Sequence, residues 1–217
     1  AWQTRRLKRW ESTMIQGSTV WAISEEDAET LHRLGAKSVR ALPCTYDPTG
    51  PWTSSGAIGS SVYHLGALDW LPNVQGLKWY LEQVHPHVQV PVTVISRHWP
   101  AHLQPPKGVT HLSRLEDGFS FEAHGIFIAP ILSGSGMRIK LLEAMVRGKA
   151  IVTTSIGAEG LKNSPGITVV NEPQAFAAAI QHLVDDQAFR MAQGAAAQAH
   201  ARATFADDAV VASLRAL

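Results

Sequence analysis

The sequence predicts an α/β fold, a doubly wound parallel sheet with flanking helices. Two observations predict it. Short apolar runs alternate with stretches of helical periodicity along most of the chain, the order that builds parallel sheets. One unit shows the order without a break. Ile126-Phe127-Ile128-Ala129 has the length and composition of a buried strand. Gly134-Ser135-Gly136 forms a turn, and Met137, Leu141, Leu142 and Met145 then share one side of a helix over 137–146. Gly148 follows its last turn, and Ala150 opens the next strand, over 150–153. Strand, glycine turn, helix and strand make one βαβ unit, with a right-handed crossover.

The other elements follow in order. Residues 4–16 read as a basic helix with Leu7, Trp10 and Met14 on one face among Arg5, Arg6, Lys8 and Arg9. Such a helix either packs on a sheet with a solvated basic face or touches anionic lipid as a peripheral membrane contact. Residues 19–23 are a short strand. Ser24 caps a helix that opens Glu25-Glu26-Asp27, with Asp27 at the capping-box position, and Gly35 ends it. Residues 38–42 form a strand stopped by Pro43. The Pro, Gly, Ser and Thr of 46–59 read as linker. Strands are expected over 62–65, 90–95, 109–112 and 167–170, with a helix over 74–84 for which Asn73 is the candidate cap. Pro173 opens a helix to 184, Asp185 or Asp186 precedes an Ala-rich one to about 203, and 207–217 is the last.

Composition bounds the function. Of 217 residues, 45% are apolar and 17% charged, as in an ordinary globular chain. The net charge is +1, from 19 basic and 18 acidic residues, so the basic excess of a nucleic-acid surface is absent. Cys44 is the single cysteine, consistent with a reducing, cytoplasmic location. No apolar run approaches the ~20 residues of a membrane span. His85-Pro86-His87 lacks a neighbouring carboxylate or thiol and reads as a turn rather than a metal site.

The chemistry lies in the glycine turn. A glycine-rich turn before a helix leaves free N–H groups, and the helix dipole favours an anion there. Arg138 and Lys140 add positive charge, unfavourable at a helix start unless an anion sits beside them. Glu143 supplies a carboxylate able to accept from sugar hydroxyls. Phosphate at Gly134, Ser135 and Gly136, with ribose at Glu143, is the geometry of a nucleoside diphosphate. An ordinary βα loop with a solvated charged face remains the plain alternative.

The stretch GSGMRIKLLEAMVRGKAIVTTSIGAEGL, with HLGALDWLPN at residues 64–73, resembles the donor-binding domain of GT-B glycosyltransferases, in the retaining family 4, or group 1. The second segment is similar to that family's F-x-G-x-x-DW-x-PN, with His64 where the pattern has Phe. The resemblance implies a Rossmann-like half of a GT-B fold that binds a nucleotide-diphosphate sugar, with no metal or other cofactor. It implies residues 1–47 as the tail of an N-terminal acceptor-side domain, 48–59 as linker and 60–217 as donor domain. A family member would carry roughly 150 further residues before Ala1. This chain alone would then bind nucleotide but turn over poorly. The acceptor would be a glycan, a lipid-linked sugar or a polysaccharide precursor.

Two departures matter. The family's two glutamates have seven residues between them in the pattern, and Ser135 holds the first position before Glu143. The Arg and Lys that many members carry after the first strand are also missing, with Gly66-Ala67 and Gln75-Gly76 in their places. Arg138 and Lys140 are then the candidate catalytic cations for the departing diphosphate. Arg97, past the strand at 90–95, and Glu159, past the strand at 150–153, join the donor-binding set at the carboxyl edge of the sheet. The other class is a doubly wound nucleotide-binding or regulatory module without transferase activity.

Overall fold

The computed structural model describes residues 2–50, 56–161 and 163–215. Positions 51–55 of the expected linker, and the end of the helix expected over 207–217, lie outside the described residues. The doubly wound parallel sheet is present. Strands β1 (Thr19–Ala22) and β2 (Ser38–Ala41) pair in parallel as a small separate sheet, joined by α2 (Glu25–Arg33). The main sheet holds β3 (Val62–Leu65), β4 (Val92–Ile95), β5 (Val109–Leu112), β6 (Ile126–Ala129), β7 (Ala150–Thr153) and β8 (Ile167–Val169). Its order is β5-β4-β3-β6-β7-β8, every pairing parallel.

Alternate strand residues build two cores. Val62, Ile126, Ile128, Ala150 and Val152 face α3 (Leu71–Trp79) and α5 (Pro173–Asp185), packing with Leu77, Phe176 and Ile180. Tyr63, Phe127, Ala129 and Ile151 face α4 (Ile139–Val146) and α6 (Gln187–Phe205), packing with Leu141, Met145 and Ala197. Burial on both faces is why the central strands β6 and β7 read as continuous apolar runs. The final helix, α7 (Asp207–Arg215), follows α6, and Tyr46 is tied between them by Tyr46 N–H to Phe205 O and Asp207 N–H to Tyr46 O.

Two buried cations fasten the chain where it enters the main sheet. The Lys149 ammonium donates to the Gly56 and Phe121 carbonyls, at 2.6 Å each. The Arg190 guanidinium donates to Ala57 and Ile58 carbonyls at 2.9 and 2.8 Å. Carbonyl acceptors offset much of the cost of taking these charges out of water.

Of the element boundaries that differ from expectation, three have a local cause. Helix α4 begins at Ile139, because Arg138 is extended (φ −93°, ψ 95°) and takes the N-cap position. Helix α3 begins at Leu71, with Trp70 at the N-cap and a proline in its first turn, so Asn73 is not its cap. Strand β4 starts after Pro91, which has no N–H to donate. In α1 (Trp2–Ile15), Leu7, Trp10 and Met14 are exposed rather than packed on a sheet.

Candidate functional site

In this strand order the chain leaves β3 toward β4 and β5, then returns to lay β6 on the other side of β3. The crevice beyond the carboxyl ends of β3 and β6 is the topological switch point, where open α/β sheets hold ligands. Two cavities open there and share Leu65, Gly66 and Ala67 at the end of β3. The larger, about 960 Å³, extends over the ends of β4 and β5 to Arg97 and Arg114. The smaller, about 380 Å³, lies between Asn73 of α3 and Ser133, Arg138 and Lys140.

The loop from β6 to α4 contributes Ile131, Ser133, Met137 and Arg138 to the smaller cavity, while Gly134, Ser135 and Gly136 line neither. Gly134 (φ 108°) and Gly136 (φ 86°) both adopt the left-handed region, which a side chain would strain. The loop is braced from two sides. Thr154 donates to the Ile131 carbonyl, and Ser133 donates to Gln75 of α3 at 3.1 Å. The Arg138 side chain folds back over Gly134 and donates Nη1–H to the Ser135 carbonyl at 2.8 Å. Its Nε and Nη2 groups are buried and have no hydrogen-bond partner.

Lys140 approaches from the first turn of α4 and donates to Asn73 Oδ1 at 2.8 Å. Burial, then the Arg138 charge, pushes its ammonium pKa down to about 8. Beneath it, fully buried His64 of β3 places Nδ1 3.0 Å from the Ile128 carbonyl. A carbonyl only accepts, so Nδ1 carries the proton and Nε2 is an open lone pair. Burial and then the Lys140 charge, against the Ile128 bond, push the imidazolium pKa down to about 3, so His64 is neutral. No group of three or more His, Cys, Asp or Glu able to hold a metal occurs among the described residues.

The structure thus brings Arg138 and Lys140 to one cavity, although helical spacing would have set them far apart. Arg138 precedes the helix, so the roughly 200° between positions two apart does not apply. Arg97 lines the larger cavity. Glu143 sits on α4, 3.4 Å from Arg147, and lines neither cavity. Glu159 also lines neither; its neighbour Gly160 packs on Met137. Sequence reasoning did not assign His64 to the site and gave Asn73 a capping role. A histidine inside the apolar strand Val62-Tyr63-His64-Leu65 was the available signal.

The fold and the site define a doubly wound domain with a cationic glycine turn at its switch point. The chain belongs to the glycosyl transferases group 1 family, whose model matches residues 59–186. Over 144 residues it is 32% identical to an uncharacterized 44.6 kDa protein in the cps region of Klebsiella pneumoniae, covering 58% of this chain and 36% of that protein. The structure of sucrose-phosphate synthase from Thermosynechococcus elongatus is similar at TM-score 0.74 and 15% identity, over 96% of this chain and 60% of that one. Anabaena HepE, solved with UDP and glucose, is similar at TM-score 0.67 and 17% identity, over 97% of this chain and 67% of that one. These structural likenesses bear on the fold. The chain spans about a third of the length of the curated relative. Among the described residues, no helix is long and apolar enough to cross a membrane.

Proposed function

We propose that this chain is the donor-binding part of a glycosyltransferase that takes a nucleoside-diphosphate sugar, with UDP as the first nucleotide to try. The observation that carries the reading is Arg138. Two of its N–H groups are buried without an acceptor beside a glycine turn and a second cation, Lys140. Buried donors left unpaired cost about 1–3 kcal/mol each, and a phosphate would satisfy both. HepE, of similar fold, was solved with UDP and glucose, which supports a nucleoside-diphosphate ligand.

In this reading the diphosphate lies in the smaller cavity against Arg138 and Lys140, with the Gly134-Ser135-Gly136 turn beside it. The nucleoside extends into the larger cavity past Arg97, and Glu143 meets the ribose. As the sugar leaves, charge gathers on the diphosphate, and Arg138 and Lys140 stabilise it in the role a metal ion plays elsewhere. Sugar transfer retains anomeric configuration, as in the resembled family, and the acceptor is a glycan, lipid-linked sugar or polysaccharide precursor. The β1–α2–β2 unit is the tail of the acceptor-side domain, with the division expected at 47 and 59. The full protein works in the cytoplasm, and this chain alone transfers little.

Titration calorimetry with a panel of nucleoside diphosphates and their sugars tests the reading. Saturable binding that disappears in Arg138→Ala supports it. Absence of binding by every member of the panel overturns it. Binding by the full-length protein without sugar transfer to any acceptor would leave a nucleotide-binding or regulatory module instead.

A further inference from the structure

The space over Gly66 is enclosed by three polar atoms from three elements. A β-carbon at Gly66 would stand 3.1 Å from His64 Nε2, 3.1 Å from Lys140 Nζ and 3.4 Å from Asn73 Nδ2. Two of those atoms are committed. Asn73 Nδ2 donates to the Ala67 carbonyl at 2.8 Å, and Lys140 Nζ gives one N–H to Asn73 Oδ1. His64 Nε2 is not: it is buried and has no hydrogen-bond partner. Its ring cannot turn to hide the lone pair without giving up the Ile128 carbonyl. A buried acceptor held in this way requires a donor; the Lys140 ammonium and the Asn73 amide each have an N–H beyond those bonds, and the charged donor makes the stronger hydrogen bond.

We propose that His64 is a positioning residue for Lys140: a small turn of the ammonium brings one N–H to the unfilled Nε2 lone pair, which together with Asn73 Oδ1 brackets it and leaves the third N–H for the switch-point cavity. An ammonium on a four-carbon stem is a mobile point charge, and two fixed acceptors turn it into a directed donor. The absence of a side chain at Gly66 makes this convergence possible, since a β-carbon would fill the gap. The charged and titratable groups facing Lys140 are Arg138 from the preceding loop and His64 from β3, while α3 presents the neutral Asn73 amide. Among the described residues no carboxylate forms an ion pair with it. The bracket therefore acts without an anionic partner, and the neutral imidazole supplies acceptor character without a competing charge. The consequence for nucleotide binding rests on the donor-site reading above, but the bracket itself does not.

The test is the titration of Lys140 in the 217-residue chain, followed by NMR of 13Cε-labelled lysine and assigned with Lys140→Arg. His64→Phe places the residue of the resembled pattern in the strand and removes the acceptor. His64→Leu is the second acceptor-free variant should the larger ring disturb packing. His64→Gln keeps an amide oxygen able to accept. Loss of a hydrogen bond to the charged form should lower the Lys140 pKa by about one unit in the Phe and Leu variants, and Gln should recover part of it. The same samples titrated with UDP at pH 8 should show about fivefold weaker binding in the Phe variant, following the protonated fraction. An unchanged Lys140 pKa in both acceptor-free variants overturns the proposal whatever the nucleotide does. If the pKa moves as expected while wild type binds no nucleoside diphosphate, the bracket stands and the donor-site reading falls.

Discussion

Gly76 in α3 and Pro130 at the end of β6 are in backbone contact. A β-carbon at Gly76 would stand 1.6 Å from the Pro130 carbonyl oxygen. The helix that presents Asn73 is therefore seated on the root of the glycine loop, and no side chain intervenes. Gly76→Ala should force the two apart. Overpacking of this kind costs about 1–3 kcal/mol. In a chain of this size each kcal/mol lowers the melting temperature by roughly 2–4 °C. Because the loop itself must move, nucleotide affinity should fall with it. Calorimetric melting and nucleotide titration of one sample check both. An unchanged melting temperature would mean that the helix shifts at no cost.

The two buried lysines set a pH dependence whose sign can be worked out. Burial holds Lys140 and Lys149 to pKa values of about 8, with Arg138 and Arg147 as the second causes. In the unfolded chain a lysine titrates near 10.4. Between about pH 8 and 10 the unfolded state therefore binds more protons than the folded one, and stability rises with pH. Denaturant unfolding at pH 7.5 and pH 9.5 should show the later midpoint at the higher pH. Lys149→Met should flatten the dependence. It should also lower stability at both values, since the Gly56 and Phe121 carbonyls lose their donor. A midpoint that falls over this interval would contradict the burial of both ammonium groups.

Glu143 tests a role that the resemblance supplies. Its side chain is 26% exposed, and its carboxylate pairs with Arg147 four residues on, at 3.4 Å. A pair of that kind on a helix contributes about 0.3–0.5 kcal/mol, so Glu143→Ala should leave the melting temperature nearly unchanged. If the carboxylate grips the ribose hydroxyls, nucleotide affinity should drop by about 1.5–3 kcal/mol. A lowered melting temperature with unaltered affinity would make Glu143 a structural partner of Arg147 alone.

How much of this was legible in the sequence differs by element. The central strands of the main sheet could be read because burial on both faces leaves apolar runs such as Ile126–Ala129 and Ala150–Thr153, whereas the edge strands β5 and β8, with no fully buried residue, showed only short β-branched runs. The cap at Ser24 could be read because its partner is local: the Asp27 N–H donates to its hydroxyl at 3.1 Å. The start of α4 could not. Arg138 has helix-compatible chemistry, and only its backbone ψ of 95° keeps it out of the helix. That single torsion decides whether Arg138 and Lys140 diverge or converge. The long-range pairings of Lys149, Arg190 and His64 were illegible for another reason. Their partners are backbone carbonyls 93, 133 and 64 positions away in the chain, and no local pattern encodes such pairs.

Arg138 and Lys140 then differ in a way that a pH series can separate. Both line the smaller cavity, and both would neutralise a diphosphate there. An arginine keeps its charge throughout the accessible range. Lys140, with a pKa near 8, loses its charge across mildly alkaline pH. At pH 7 each alanine substitution should weaken nucleotide binding by about 10- to 100-fold, the value of hydrogen bonds to a charged group. At pH 9 Arg138→Ala should cost the same, whereas Lys140→Ala should cost much less, because the wild-type lysine is already largely neutral. Wild-type affinity should itself decline as pH rises through about 8, in the direction opposite to stability. In full-length protein with measurable transfer, Arg138→Ala should lower turnover by more than it weakens donor binding, since charge on the leaving diphosphate grows toward the transition state. The measurements are titration calorimetry at pH 7 and 9 and steady-state rates at saturating donor. Equal losses for Lys140→Ala at the two pH values would show that the lysine remains charged in the complex. Intact turnover in Arg138→Ala would remove Arg138 from the leaving-group role and pass it to Lys140 or Arg97.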